Sequence, residues 1–555
     1  MMTVRELGQN HRPASRRSGA ISNDNQLTGV RGGGWNEMLR PLAAMLVLIL
    51  ATASVCLAQS PQKILDEYVR AEGGAKALRR IQSSSIAGSL WEKASDATGS
   101  YSLITKAPNR FYSEIAIEPR HLAEAYNGKS AWAQNGSAVP HTLTGRPAAV
   151  AEATARYLNG RLADYKKDKI ALQFIGIENS GGRQTDRIRL TLAPGVTRDV
   201  FFDTQTHLHL IVREIAPSAA TSDSSQIRQP PAPSQEFDYD DYRPVSGVQV
   251  PYKIELHRDG HIYSISVTQA EINGAVGDST FNFPRADHRP LPDIPALLLD
   301  MSKNQEAIED LQKQYTCHLT EEDSKTDSKG QVTSRTIDEY DVFYVGGDEV
   351  RRLLAKNGVP LTGDAKSKED RKFSKRFDES QRKQAELAND PKKREKQEQQ
   401  DQEQISDFLR AESFTNPRRE RFRGQDTIVF DFGPNLGYKP RKFAESIAQK
   451  LVGVVWVDEQ ARDVVRLEAR FSSNVKIGGG ILLSLQKGSN FVFEQTKLNN
   501  EVWLPSYAEI HADGRLFFLK VKANEIDRYT DFKKFGVETR IGPPSSPATP
   551  AAAPN

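Results

Sequence analysis

The chain has 555 residues, enough for about two to four domains that each bury a core. Its 75 Lys+Arg nearly cancel 72 Asp+Glu, so bulk charge gives no footing to a nucleic-acid binder or a basic membrane-surface protein. Of two cysteines, Cys56 falls in an apolar targeting segment, leaving Cys317 as the lone thiol of the processed chain. A lone thiol closes no intrachain disulfide, so stability has to come from packing.

Residues 1–37 are rich in Arg, Gly, Ser and Asn without periodicity, and read as disorder or an over-long start before Met38. Residues 38–58 read as a signal peptide: Arg40, the apolar run Leu42 to Val55, then Cys56-Leu-Ala58 before Gln59. Cleavage near Ala58 predicts a secreted, periplasmic or outer-membrane-associated protein. A lipid on Cys56, or a retained anchor, is the alternative, although Val55 sits where a lipidation signal wants a small residue.

From Pro61 the spacing of Ile64, Leu65, Tyr68 and Val69 predicts a helix, broken at Gly73-Gly74 and followed by a short helix to Ile81. The period then changes to two, giving strands at Ile86–Trp91, Tyr101–Thr105 and Arg110–Ile117. Ala125–Lys129 and Ala131–Gly136 predict a hairpin with an Asn-Gly turn, and Ala148–Tyr165 an alanine-rich helix. More strands follow at Gln184–Leu192, Val200–Phe202 and Leu208–Glu214. Ala216–Ser234, rich in Ser, Pro and Ala, reads as a surface loop. Ile294–Gln314 predicts a helix opening a second half, with strands at Tyr315–Leu319 and Arg335–Tyr344 and a helix through Val350-Arg-Arg-Leu-Leu. The charged run Lys366–Gln404 reads as a solvated helix or disordered insertion with no apolar stripe to dock. Strands resume from Thr427 to Val521, and residues 536–555 form a Pro/Ala tail.

A long-period repeat links the halves. Pro251, Glu255 and Asp259 recur as Pro505, Glu509 and Asp513, each 254 positions on, and Val200-Phe-Phe-Asp203 recurs as Val455-Trp-Val-Asp458. Asp259-Gly260 and Asp513-Gly514 both read as hairpin turns. The repeated part holds no nucleophile, acid–base pair or metal cluster. It copies a scaffold.

Isolated chemical motifs are weak. Asp431-Phe432-Gly433 lacks the companion loops of a kinase, and Gly478-Gly-Gly480 lacks the strand–helix context of a phosphate cradle. His207-Leu-His209 places two imidazoles on one strand face without a third ligand, and reads as structural. Cys317 has no partner histidine, because His318 points to the opposite face. No Gly-x-Ser-x-Gly or His-Glu-x-x-His sequence is present. The reading is therefore non-enzymatic, with no cofactor and no metal.

The aromatic residues on strands, Trp91, Phe111, Tyr126, Trp132, Trp456, Phe491, Phe493, Trp503 and Phe517, are the candidates for lining an apolar groove. Each taken alone is more often an ordinary core residue.

The pattern Ile64-Leu-Asp-Glu-Tyr68, Gly73-Gly74, Ala77-Leu78, Ile81, strand Ile86–Trp91, Phe202-Asp203, Gly247-Val-Gln-Val-Pro251, Asp259-Gly260 and Phe281-Asn-Phe283-Pro resembles the LolA-like family of periplasmic lipoprotein-sorting and lipid-carrier proteins. A diverged copy runs through Val457-Asp458, Arg466-Leu-Glu468, Trp503-Leu-Pro505 and Asp513-Gly514. The resemblance implies an α+β fold of two tandem lobes, each a strongly curved antiparallel sheet (an incomplete barrel) with helices on the concave side. The expected layout is a first lobe at 59–290, a linker helix at 291–314 and a second lobe at 315–535 with the insertion 366–404. It implies a non-catalytic envelope protein that binds a lipid or a lipoprotein acyl chain, with peripheral membrane contact or an envelope protein as further partner, and no nucleic acid. The alternatives are a structural or sensor module for another envelope protein, and accessory domains related to a secreted hydrolase.

Overall fold

The computed structural model describes residues 60–193, 195–215, 233–285, 289–303, 310–326, 332–345, 348–477, 483–516 and 519–534. The expectations for residues 1–58, for the loop at 216–232, for Gly478–Gly480, for Phe517 and for the 536–555 tail lie outside them.

The apolar spacing at the start forms α1 (Pro61–Ala71) and α2 (Ala75–Leu78). There follow β1 (Ser83–Glu92), β2 (Thr98–Lys106), β3 (Arg110–Ile117), β4 (Arg120–Tyr126), β5 (Ala131–Asn135), β6 (His141–Leu143) and α3 (Gly145–Gly160). The first sheet is completed by β7 (Ala171–Ser180), β8 (Arg183–Ala193), β9 (Val196–Asp203), β10 (His209–Ile215), β11 (Pro233–Val245), β12 (Val248–Arg258) and β13 (His261–Ile272). After α4 (Ile294–Lys303) come β14 (Tyr315–Thr326), β15 (Val332–Val345), β16 (Asp348–Lys356) and β17 (Val359–Pro360). The helices α5 (Gly363–Asn389) and α6 (Pro391–Ala411) precede β18 (Glu412–Phe422), β19 (Gln425–Pro434) and α7 (Phe443–Ala448). The chain then forms β20 (Leu451–Asp458), β21 (Val464–Phe471), β22 (Val475–Ile477), β23 (Leu483–Leu485), β24 (Asn490–Leu498), β25 (Val502–Leu516) and β26 (Leu519–Lys534).

The two antiparallel sheets follow one path. The first runs β6-β5-β4-β3-β2-β1-β13-β12-β11-β10-β9-β8-β7, and the second β17-β16-β15-β14-β26-β25-β24-β21-β20-β19-β18. In each, the lobe's first strand pairs with its last, β1 with β13 and β14 with β26. Neither sheet closes into a barrel. The hairpin β22–β23 follows β21 in the chain, precedes β24, and attaches to β25.

The duplicated aspartates make the same turn. Asp203 Oδ1 accepts from the backbone N–H of Gln205 and Thr206, at 2.7 and 3.0 Å. Asp458 Oδ1 accepts from Gln460 and Ala461, at 2.8 and 2.9 Å. His207 and Arg462, four positions after each aspartate, share left-handed φ values of 60° and 55°. A short carboxylate replaces backbone partners in such a turn, which is why the residue type repeats.

The inner face of each sheet is covered by a helix. Ile64, Leu65, Tyr68 and Val69 of α1 join Ile188, Leu190, Val200, Phe202, Ile254 and Ile265 in one core. Ile294 and Leu297 of α4 join Ile428, Phe430, Phe432, Val455 and Val457 in the second. The helix expected to link the lobes therefore packs into the second sheet as α1 does into the first. Each such aliphatic or aromatic side chain contributes about 1.5–3 kcal/mol by leaving water. Gly73 ends α1 with φ 135°, and a Cβ there would lie 2.5 Å from Gly247 O, so the turn before β12 fits against the helix end only without a side chain.

Three sequence expectations fail. Val350-Arg-Arg-Leu-Leu is strand β16, not helix, because Arg351 thereby reaches Glu321, Glu349 and Asp527 while Val350 pairs across to Phe343. Cross-strand partners outweigh the helix propensity of Arg and Leu. Asp513-Gly514 is no turn: both residues lie inside β25, paired with Lys522 and Val521, and β23 extends the sheet beside them. The charged insertion is helical, as one of its two expected forms, but it does carry an apolar contact. Phe373 and Phe377 of α5 pack on Phe343 at ring distances of 5.2 and 6.4 Å.

Asp203→Ala and Asp458→Ala each lose the turn bonds, for roughly 1–3 kcal/mol. Asp458 also accepts from Trp503 Nε1 at 2.9 Å and pairs with Lys497. Urea denaturation should therefore show Asp458→Ala to be the more destabilised variant.

Candidate functional site

In the first sheet α3 touches β2, β3, β4 and β5 on one wing and β8 and β9 on the other. Strands far apart in the sheet thus meet one helix, and the concave inner face between them, the trough of this lobe, is packed with core side chains of α1 and the strands. Ala151, Ala153 and Ala155 let α3 sit close to the strands.

Register places Leu90, Ile254, Leu256 and Ile265 on the floor of this trough. Above the floor, Leu103, Leu122, Glu124, Tyr157, Phe237 and Tyr239 face the same interior but remain only partly buried. Phe237 and Tyr239 lie with parallel rings 6.0 Å apart. One end of the trough is charged: Arg198 stands over the Tyr157 ring and 3.7 Å from Glu214, which accepts from Gln235 at 3.1 Å. Burial pushes the Glu124 carboxyl above its ordinary value, against the pull of Arg258.

Three polar atoms of this interior have no hydrogen-bond partner among the described residues: Glu72 Oε2, Tyr157 OH and His209 Nδ1. Glu72 is 3% exposed, and its other oxygen accepts from Arg161 at 3.1 Å. Burial raises the Glu72 carboxyl, opposed by Arg161 and by a hydrogen bond with Tyr68, and burial lowers the His209 imidazole to about 3, which keeps that ring neutral. His209 packs among Tyr68, Tyr239 and Tyr242 at 5.3, 4.8 and 5.9 Å. Buried polar atoms are usually satisfied, so three unmet ones in one region point to a group that the chain itself does not supply.

The eight groove candidates among the described residues divide by sheet face. Phe111 and Tyr126 face inward in the first sheet and are buried under α3 with Ala151 and Ala155. Phe491 faces inward in the second sheet against the α4 core, and Phe493, two residues on, shares that face and is half-buried. Trp91, Trp132, Trp456 and Trp503 each adjoin an inward residue and so project from the opposite face. Trp91 is 39% exposed and donates to Asp96 at 2.7 Å. Trp456 and Trp503 pack with Val429, Val454 and Val465 in an outer cluster.

Other motifs take structural places. His207 lies in the Asp203 turn and His209 in β10, so the two imidazoles do not share a face as expected. Cys317 is buried 3.8 Å from Tyr344 OH, and burial pushes its thiol up to about 12, which makes it a poor nucleophile. Asp431 is fully buried between the lobes: Arg418 pairs with it at 3.0 Å, and Asn127 Nδ2 donates to it at 2.7 Å. Arg418 also donates to Thr142 Oγ1 at 2.7 Å, and Thr142 N donates to Glu420 at 2.8 Å. Beside this junction is a recess of about 580 Å³ lined by Tyr112, Trp132, Phe283, Pro284, Asn416 and Pro417, among others.

Glu412, at the same junction, is 3% exposed, and neither carboxylate oxygen has a partner among the described residues. Burial raises it to about 8, and Lys129 opposes the shift. Its folded value lies above the unfolded one, so the folded state keeps a proton that the unfolded chain has lost. Stability is then fullest below the ordinary carboxylate range and falls as pH rises toward 8, by up to about 1.4 kcal/mol per unit. Glu412→Gln removes this dependence. Denaturation curves at about pH 5 and pH 8 should differ less for the variant than for the parent; equal slopes would refute the assignment.

No family model matches the chain, and no curated protein matches it. Among solved structures it is similar to a DUF1329 family protein from Desulfovibrio piger, at 14% identity over 40% of this chain and 96% of that one, TM-score 0.27. It is also similar to a LolA superfamily protein from Nitrosomonas europaea, at 13% identity over 40% and 97% of the two chains, TM-score 0.28. A third is a putative outer membrane lipoprotein-sorting protein domain from Vibrio parahaemolyticus, at 10% identity over 40% and 97%, TM-score 0.27. The second carries the LolA name that the sequence resembles and the third is described by lipoprotein sorting, and at TM-scores this low the likeness bears on no ligand.

Proposed function

We propose that this is a non-catalytic protein of the cell envelope that binds an amphipathic lipid or a lipoprotein acyl chain in the trough of its first lobe. The observation that carries the reading is the trough's lining. Partly buried Leu103, Leu122, Phe237 and Tyr239 stand beside the unpartnered Glu72 Oε2, Tyr157 OH and His209 Nδ1. An acyl chain suits the first group and a polar head the second. Each methylene taken from water contributes about 0.8 kcal/mol, so a single long chain supplies a useful affinity. Release requires α3 to lift from one wing of the sheet. This trough replaces the outward tryptophans as the proposed groove, with Phe111 and Tyr126 forming its covered end. Residues 38–58, which read in sequence as a signal peptide, support an envelope location, and no helix among the described residues is long and apolar enough to cross a membrane.

A second reading, docking of another envelope protein, is favoured by the recess at the lobe junction, where Trp132, Phe283 and Pro417 meet.

Extraction of protein purified from native membranes, followed by mass spectrometry, should return lipid. A fluorescent fatty acid should exchange into the emptied protein. Leu103→Trp and Leu122→Trp should each weaken that exchange by about tenfold, the equivalent of excluding two methylenes. Empty protein with no exchange would defeat the lipid reading and leave the junction recess as the site to test.

A further inference from the structure

The duplicated register shows where the two lobes have diverged. In the first sheet, neighbouring floor positions on β12, β13 and β1 are Ile254, Ile265 and Leu90. Their counterparts on β25, β26 and β14 are Ala508, Asp527 and Glu321. In the next row, Leu256, Tyr263 and Glu92 become Ile510, Glu525 and Asp323. Three of these six positions, those of Leu90, Tyr263 and Ile265, have become acidic on the same inner face.

The charges there are not balanced among the described residues. Arg351 pairs with Glu321 at 2.5 Å, Glu349 at 2.5 Å and Asp527 Oδ2 at 3.1 Å, one cation for three carboxylates. Glu525 lies directly across the strand pair from Asp323, a like-charge pairing that destabilises a sheet. Asp527 is 3% exposed, and its second oxygen, Oδ1, is buried with no hydrogen-bond partner. Donor oxygens of Glu321, Glu525 and Asp527 all lie within 4.8 Å of one another.

We propose that Glu321, Glu525 and Asp527 form a binding site for a hard divalent cation of the Ca²⁺ class on the inner face of the second sheet. Three carboxylates and no imidazole or thiolate select a hard ion. Ca²⁺–oxygen bonds of about 2.3–2.6 Å span donors up to about 5 Å apart, whereas Mg²⁺ needs a cage about 1 Å narrower. The cation would neutralise Asp527 Oδ1 and the Glu525–Asp323 pairing, leaving Arg351 to hold Glu349 and the outer oxygen of Asp527. The site is independent of the first-lobe trough.

The test uses the full chain, stripped with chelator, in calorimetric titration and thermal unfolding with CaCl₂ or MgCl₂. Ca²⁺ should release heat at one site per chain and raise Tm, with a smaller response to Mg²⁺. Glu525→Gln should weaken Ca²⁺ binding by about tenfold or more. Without metal, this variant should be at least as stable as the parent, because it removes a like-charge contact. Asp527→Asn should lose the Ca²⁺ response as well. No heat and no Tm change at millimolar Ca²⁺ would overturn the proposal, as would a response undiminished in Glu525→Gln.

Discussion

A long antiparallel sheet with one apolar face must hide that face, and here it does so by curling around helices. In the first lobe, α1 fills one end of the inner face with Ile64, Leu65 and Tyr68, and α3 spans the trough from β2–β5 to β8–β9. Both wings gain burial by reaching these helices, which favours a curled sheet over a flat one. Pairing of first strand with last then places both ends of the lobe in the middle of the sheet. That arrangement creates a concave interior whose lining can vary while the frame persists.

The two lobes show how far that variation goes. The turn after β9 and the turn after β20 keep the same two backbone hydrogen bonds to Oδ1 of Asp203 and Asp458, since a change there would release backbone groups without partners. Floor positions carry no such obligation. Ile265 and Asp527 occupy equivalent places, as do Leu90 and Glu321. Substituting an acid for an aliphatic residue in a half-enclosed site is costly unless a counter-charge or ligand accompanies it, and Arg351 supplies part of that compensation.

The lobes meet through buried polar groups more than through an apolar seam. Arg418, Asp431, Glu420, Thr142 and Asn127 satisfy one another almost completely, and Arg418 also stands over the Phe283 ring at 5.1 Å. Such a network tolerates little misalignment, because each lost partner leaves a desolvated charge. It fixes the register of one lobe on the other, and Glu412 is the member left without a partner among the described residues.

Local pattern alone determined much of this protein. The helix at Ile64–Val69, the two-residue period of the strands, the Asn-Gly hairpin at 127–128 and the recurrence of Asp203 as Asp458 were all legible, because each depends on neighbours within a few residues. The direction in which an aromatic side chain points was not. Trp132 and Tyr126 lie on adjacent strands with similar surroundings in sequence, yet one faces Phe283 outside and the other α3 inside. Strand β16 and the Asp513-Gly514 segment were misread for the same reason: partners contributed by β15, β23 and β26 override local preference. The trough, the orphaned atoms within it and the acidic floor of the second lobe exist only once strands distant in the chain are paired, so tertiary structure alone decided them.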